Sequence, residues 1–183
     1  AEKIRLLAAA EIVIVRSPVK LDSAALASAP ALRLIVRAGM GLDGIDLAAA
    51  EARGLRVVTA PLSEESVAEH TFALILALSR NIHNAYVKTM KGDFSLTGLQ
   101  GFDLKGKTLG VIGGGRIGLH VIKMAKGFGM EVLVSDVRKD LFLSEVLDFR
   151  YATLEVLLRQ SDIVSLHVPY MASTHHLMHR AMF

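Results

Sequence analysis

The sequence predicts an α/β protein built from two parallel-sheet units, and three observations lead to this fold class. Short apolar runs alternate with helical stretches along all 183 residues, which is the pattern of βαβ units. Hydrophobic residues make up 52% of the chain, as strands buried on both faces require. Eight of the 15 glycines lie between Gly98 and Gly118, and this concentration predicts a boundary between the two units.

The first unit is predicted over residues 1–98 and begins with three strands that alternate with two helices. Apolar runs predict the strands over residues 11–15, 33–37 and 55–58. Asp22 is expected to cap a helix that ends at Pro30, and Asp46 a helix that ends at Gly54. An aspartate suits both places because its carboxylate accepts hydrogen bonds from the free amides of a first helical turn.

One long helix is then predicted from Ser66 to about Lys91. Ser66 and Glu69 have the S-x-x-E spacing of a capping box. Apolar or small residues follow at steps of three or four, namely Val67, Thr71, Leu74, Leu78, Ile82 and Ala85. Because Phe72 and Leu76 make the middle apolar nearly all round, we expect the helix to be buried between layers.

The second unit is predicted over residues 99–183, with strands at 108–112, 131–135 and 162–167 and helices at 116–126 and 153–160. Its glycine turn at 113–118 fits G-x-G-x-x-G, directly after a strand and at the start of a helix. Gly113 permits a tight turn, Gly115 lets the backbone approach a pyrophosphate, and Gly118 lets the helix pack on the strand. Gly115 is also expected to need a freedom in φ that a β-branched residue lacks. Because the motif lies between a strand and a helix, it favours dinucleotide binding over a plain turn.

The identity of the dinucleotide depends on Asp136, which ends the next strand 18 residues after Gly118. Its carboxylate can accept both ribose hydroxyls of an adenosine, and it would repel a 2′-phosphate. The predicted cofactor is therefore NAD, with NADP left open by the nearby Arg138 and Lys139. The helix N-terminus adds free amides and about half a positive charge for the phosphates.

Composition excludes several other classes of function. The formal charge of +3 and 5% aromatic residues give no sign of nucleic-acid binding, and the lack of cysteine excludes disulfides and thiolate catalysis. No apolar run reaches the roughly 20 residues of a membrane span, and the chain opens without the apolar region of a signal peptide. We therefore expect a cytoplasmic protein without membrane partners. His175, His176 and His179 could suggest a metal site, but without cysteine or a carboxylate cluster nearby we predict none.

Motifs along essentially the whole chain resemble the D-isomer-specific 2-hydroxyacid dehydrogenases, the family of D-lactate, glycerate and 3-phosphoglycerate dehydrogenases. They lie at residues 15–17, 37–43, 66–71, 104–110, 113–118, 128–130 and 165–169. The resemblance implies a flavodoxin-like substrate domain and a Rossmann dinucleotide-binding domain, both incomplete here, with NAD in the cleft between them. It also implies a homodimer.

The resemblance further implies roles for single residues. The cofactor-binding set would be Gly113, Gly115, Arg116, Ile117, Gly118, Asp136, His167, Val168, Pro169, Thr174 and Val67. The substrate would contact Ala38, Gly39 and Met40, with the amides of Gly39 and Met40 facing its carboxylate. The catalytic Arg, Glu and His of the family would lie beyond Phe183, so no catalytic residue is assigned and the chain alone is expected to be inactive.

The predicted function is hydride transfer between NAD and a D-2-hydroxy acid or its 2-keto partner. Residues 16–17 and 37–39 look more like phosphoglycerate dehydrogenases, whereas residues 167–170 and 174–176 look closer to the D-lactate enzymes, and glycerate also stays open. Two alternatives are an NAD-sensing corepressor-like protein and a dinucleotide-binding fragment without chemistry. Arg37 could bind an anion or pair with a carboxylate, and Arg16 and Lys20 could neutralise a substrate phosphate or be solvated.

Overall fold

A computed structural model describes residues 2–39, 41–60 and 63–182 of the chain. By packing, the chain divides into two compact units, one of Ala1–Leu62 with Pro169–His175 and one of Ser63–Val168 with His176–Phe183. Residues 63–98 thus pack with the second unit. The boundary at residue 98 was predicted between the substrate and dinucleotide-binding domains that the family resemblance implies, and it stays a prediction.

The first unit is a three-stranded parallel sheet in the order β1-β2-β3. Its elements are α1 (Glu2–Ala8), β1 (Ile12–Val15), α2 (Ser23–Ala27), β2 (Leu34–Ala38), α3 (Leu47–Ala52) and β3 (Arg56–Ala60). Asp22 and Asp46 cap α2 and α3 as predicted, because their carboxylates accept hydrogen bonds from the amides of Ala25 and Ala49 at 2.8 and 2.9 Å. The predicted strands are present within one or two residues, while α1 was not anticipated.

The long helix of the sequence analysis is instead two helices, α4 (Glu64–Ser79) and α5 (Ile82–Met90). The predicted capping box is wrong, since Ser63 is the N-cap and its hydroxyl accepts the amide hydrogen of Ser66. Asn81 breaks the helix with a φ of +53°. The segment after α5 returns to this break, where the amide of Phe102 donates to the carbonyl of Ser79 at 2.9 Å.

The buried face of α4 also differs from the prediction. Its buried residues are Ala68, Phe72, Ile75 and Ser79. Leu78, which the sequence pattern placed in the core, is 68% exposed, and Leu74, Val67 and Ile82 are exposed too. Apolar residues lie on two faces of α4, and the buried face is the one that packs beside α6. Phe72 lies on this face, and its ring stacks on that of Phe128 with 5.2 Å between the ring centroids.

The second unit carries a four-stranded parallel sheet in the order β6-β5-β4-β7. After α5 come β4 (Thr108–Ile112), α6 (Arg116–Gly127), β5 (Glu131–Ser135), α7 (Leu141–Val146), β6 (Arg150–Tyr151), α8 (Leu154–Gln160), β7 (Ile163–Leu166) and a short 3-10 helix, Arg180–Met182. The prediction lacked α7 and β6. Because the chain moves from β4 to β5 on one side and later adds β7 on the other, the strand order reverses at β4. In open α/β sheets ligands bind at the carboxyl ends of the strands at such a point.

Candidate functional site

The loop that follows β4 has the close packing that its glycines predict. Gly113 has a φ of +99°, and a Cβ there would come within 2.7 Å of the carbonyl oxygen of His167. A Cβ on Gly118 would overlap the carbonyl oxygen of Gly113. Only glycine fits these two positions, because the chain must turn tightly and the helix must lie against the strand end.

Gly115 has a different environment from its two neighbours in the motif. It is the N-cap of α6, with a φ of −70° and a ψ of −168°, a conformation open to any residue. The expectation that Gly115 needs freedom in φ is therefore wrong. A Cβ there would meet no atom within 4 Å, and no side chain caps α6. The first-turn amides of α6 are thus left without a side-chain acceptor, which is the arrangement that receives an anion.

Asp136 lies beside this loop at the carboxyl end of β5. Its Oδ2 accepts the amide hydrogen of Gly114 at 2.7 Å, and its Oδ1 accepts that of Arg138 at 2.8 Å. Each carboxylate oxygen retains a further lone pair, so the oriented group can still accept two hydroxyl hydrogens. This geometry suits a group with two neighbouring hydroxyls, such as a ribose, and the negative charge would repel a phosphate.

His167 and Val168 line the other side of the loop, after β7. The amide of His167 donates to the carbonyl of Ile112 at 2.7 Å, and its Nε2 lies 2.9 Å from Oγ of Ser165. Burial lowers the pKa of His167, so its ring is neutral at pH 7. A Cγ of Val168 would lie 2.9 Å from a Cβ placed on Gly113. Both residues adjoin the point where the strand order reverses.

The first turn of α6 faces the first turn of α4. Nη2 of Arg116 lies 2.9 Å from Oε1 of Glu64, and Nε2 of His120 lies 3.6 Å from an oxygen of Glu65. Ile117, beside Arg116, is half-buried. Val67 lies one turn after Glu64 with its side chain 45% exposed. No sequence motif indicated a role for Glu64, because its pairing depends on two helices that are far apart in the chain.

The predicted substrate residues lie in the first unit, at the end of β2. Met40 is outside the described residues. Gly39 is buried with a φ of +140°, and its amide donates to the carbonyl of Ala60 at 2.9 Å. That amide is therefore engaged rather than free to face a carboxylate. A substrate contact at Ala38, Gly39 or Met40 stays a prediction.

Arg37 holds the loop that contains Gly39. Its guanidinium donates to the carbonyls of Ala38 and Gly41 at 2.7 and 2.9 Å and to Oγ of Ser17 at 2.7 Å. All three acceptors are neutral, so among the described residues Arg37 has no carboxylate partner, and binding of an anion by Arg37 stays a prediction. Its role in this structure is to join the end of β1 to the loop after β2.

The remaining candidates lie near the C-terminus. Thr174 donates from its hydroxyl to the carbonyl of Pro169 and accepts the amide hydrogen of Met171 at 2.9 Å, and this loop packs with the first unit. Its place beside the cofactor stays a prediction. Within the described part of the chain, no three His, Asp or Glu residues are grouped to hold a metal. None of the described helices is long and apolar enough to cross a membrane.

Comparison with known proteins identifies relatives along the whole chain. The family model for "D-isomer specific 2-hydroxyacid dehydrogenase, NAD binding domain" matches residues 72–183. A hydroxypyruvate reductase of Thermotoga maritima is 38% identical over 180 residues, which are 98% of this chain and 58% of that protein. D-lactate dehydrogenase of Escherichia coli is 42% identical over 144 residues, 78% of this chain and 44% of that protein.

Solved structures resemble the whole fold. D-lactate dehydrogenase of Aquifex aeolicus, solved in complex with NAD and lactic acid, superposes with a TM-score of 0.90 at 40% identity, over 98% of this chain and 54% of that one. The chain spans about half the length of the curated relatives it matches.

Proposed function

The chain belongs to the D-isomer-specific 2-hydroxyacid dehydrogenase family and carries sequence of its NAD-binding domain, and on this premise we propose that it serves an oxidoreductase that transfers hydride between NAD and a D-2-hydroxy acid. The observation that carries the proposal is the loop after β4. It combines open space over Gly115, uncapped amides of α6 and the oriented carboxylate of Asp136. No plain turn requires these three features together.

The residues present fit NAD as the cofactor. The amides of Arg116, Ile117 and Gly118 would donate to the pyrophosphate, and Asp136 would accept the adenosine ribose hydroxyls. Val168 and the neutral ring of His167 would exclude water from the side next to β7. When bound, NAD supplies the hydride chemistry, while the chain binds and orients it.

No catalytic residue is part of the proposal. The family resemblance assigns the catalytic Arg, Glu and His to no residue of this chain. We therefore expect that the chain alone turns over no 2-hydroxy acid. The substrate class stays open between D-lactate, glycerate and 3-phosphoglycerate, since the relatives include both a D-lactate and a D-3-phosphoglycerate dehydrogenase.

We also propose that the protein pairs as a homodimer through α4, α5 and the segment after α5. Large apolar side chains are exposed there, namely Leu74, Leu78, Ile82, Tyr86, Met90, Phe94 and Leu96. Many exposed apolar side chains on neighbouring segments are typical of an interface. Light scattering should give twice the monomer mass, and Leu78→Lys should give the monomer; a monomeric parent would contradict the pairing.

The function is tested on the complete protein by NADH production with the D and L forms of lactate, glycerate and 3-phosphoglycerate. We expect turnover of one or more D isomers with NAD and little with NADP. NAD binding without turnover of any 2-hydroxy acid would instead support the sensing alternative. Nothing in the described residues favours that alternative at present.

A further inference from the structure

Glu64 is an unusual neighbour for a dinucleotide site. Its side chain is only 13% exposed, and its Oε1 is fully buried. That oxygen lies 2.9 Å from Nη2 of Arg116 but accepts no hydrogen bond, because the contact lacks the required alignment. Among the described residues, no other cation lies within ion-pair distance of Glu64.

Arg116 is the exposed partner of this pair. It is the first residue of α6, directly after Gly115, and its side chain is 70% exposed. A guanidinium carries five N–H donors, so a phosphate can offer it two well-aligned hydrogen bonds where Glu64 offers one poor contact. The side chain can therefore turn towards the open space over Gly115.

We propose that Glu64 competes with the cofactor pyrophosphate for Arg116 and thereby weakens NAD binding. The inference rests on the proposed function, in which Arg116 lies at the pyrophosphate. When Arg116 turns to the phosphates, the carboxylate of Glu64 is left desolvated without a cation, which is costly. Part of the free energy gained at the phosphates is thus offset, and the cofactor is released more readily.

The opposite role, in which Glu64 holds Arg116 ready for the phosphates, does not fit the geometry. A holding residue would fix the guanidinium through aligned hydrogen bonds and leave it ordered and partly buried. Here the pair has no aligned hydrogen bond, and the arginine side chain is mostly exposed. The contact is an attraction between charges that a better-aligned anion displaces.

The test is a double-mutant cycle on the complete protein, with NADH binding followed by fluorescence. We expect Glu64→Gln to bind NADH about tenfold more tightly, which corresponds to about 1.4 kcal/mol. Arg116→Gln should weaken binding, and adding Glu64→Gln to it should change nothing further. Thermal melts check that each variant is folded, and the isosteric Gln removes a buried charge without changing the side-chain volume.

Glu65→Gln is the charge control, because Glu65 lies on the same helical turn but contacts His120 and attracts Arg116 only through space. It removes one negative charge at a similar place and should therefore tighten NADH binding less than Glu64→Gln does. Unchanged or weaker binding in Glu64→Gln would overturn the competition. So would equal tightening with and without Arg116, which would indicate repulsion through space. A parent protein that binds no NADH would contradict the proposed function and this inference with it.

Discussion

Replacing Gly115 by valine separates the two explanations of the glycine loop, a turn requirement and a ligand requirement. The backbone of Gly115 is extended, at a φ of −70°, and a Cβ meets no atom within 4 Å. Valine loses the modest N-cap preference of glycine, about 0.5–1 kcal/mol, and regains about 0.4–1 kcal/mol because the unfolded chain has less freedom. The two terms nearly offset, so the free energy of unfolding should change by less than about 1 kcal/mol.

Cofactor binding should respond very differently to Gly115→Val. The valine side chain would fill the space through which a pyrophosphate reaches the first-turn amides of α6. Each hydrogen bond from an amide to a charged phosphate contributes about 1.5–3 kcal/mol, so the loss of two weakens binding by more than about a hundredfold. Fluorescence titration with NADH and a thermal melt on the same samples measure both quantities.

Two further glycines of α6 and its loop serve as controls for this variant. Gly127, at the other end of α6, also has no atom within 4 Å of a Cβ, so Gly127→Val should leave NADH affinity unchanged. Gly118→Ala should lose stability by more than about 3 kcal/mol, because its Cβ would overlap a backbone carbonyl oxygen. A folded Gly115→Val variant that binds NADH as tightly as the parent would refute the reasoning and reduce the glycine run to a turn.

Three other outcomes are expected. Asp136→Ala should weaken NAD binding by one to two decades, because charge-assisted hydrogen bonds to the ribose contribute about 1.5–3 kcal/mol. Calorimetry on the complete protein measures this affinity. Equal or tighter binding of NADP by the parent would contradict the NAD assignment. The 183-residue chain alone should produce no NADH with lactate, glycerate or 3-phosphoglycerate, and genuine turnover by it would show that the acid/base groups are present after all. Burial lowers the pKa of His167, so as the pH falls below the ordinary value of about 6.5 the unfolded state takes up this proton first and stability drops. Denaturant unfolding between pH 7.5 and 5 should show a smaller loss in His167→Gln, whereas equal losses would show that another group is responsible.

Local sequence signals were reliable wherever one short segment decides the outcome. The aspartate caps of α2 and α3, the strand at 108–112 and the turn before α6 all follow from side chains or glycines within a few residues of the element. The sequence also predicted the dinucleotide motif and Asp136, because βαβ connectivity brings the ends of neighbouring parallel strands to the same sheet edge. The structure confirms that edge through the hydrogen bond from Gly114 to Asp136.

Tertiary packing decided what local patterns could not. The apolar periodicity of residues 67–85 fits more than one helix face, and only the packing of α4 beside α6 selects Phe72 and Ile75 over Leu74 and Leu78. The break at Asn81 likewise depends on a segment about 20 residues later in the chain. In that segment the amide of Phe102 donates a hydrogen bond to the carbonyl of Ser79.

The sequence by itself determined the fold class, the family and the glycine loop after β4, because these depend on periodicity and on residues close together in the chain. Only the tertiary structure decided that Gly115 has a φ open to any residue and borders open space, that Arg37 donates to neutral acceptors, and that Glu64 lies against Arg116. Each of these depends on which atoms lie close together across separate elements of the fold. The spacing of residues within a short segment does not predict such distances.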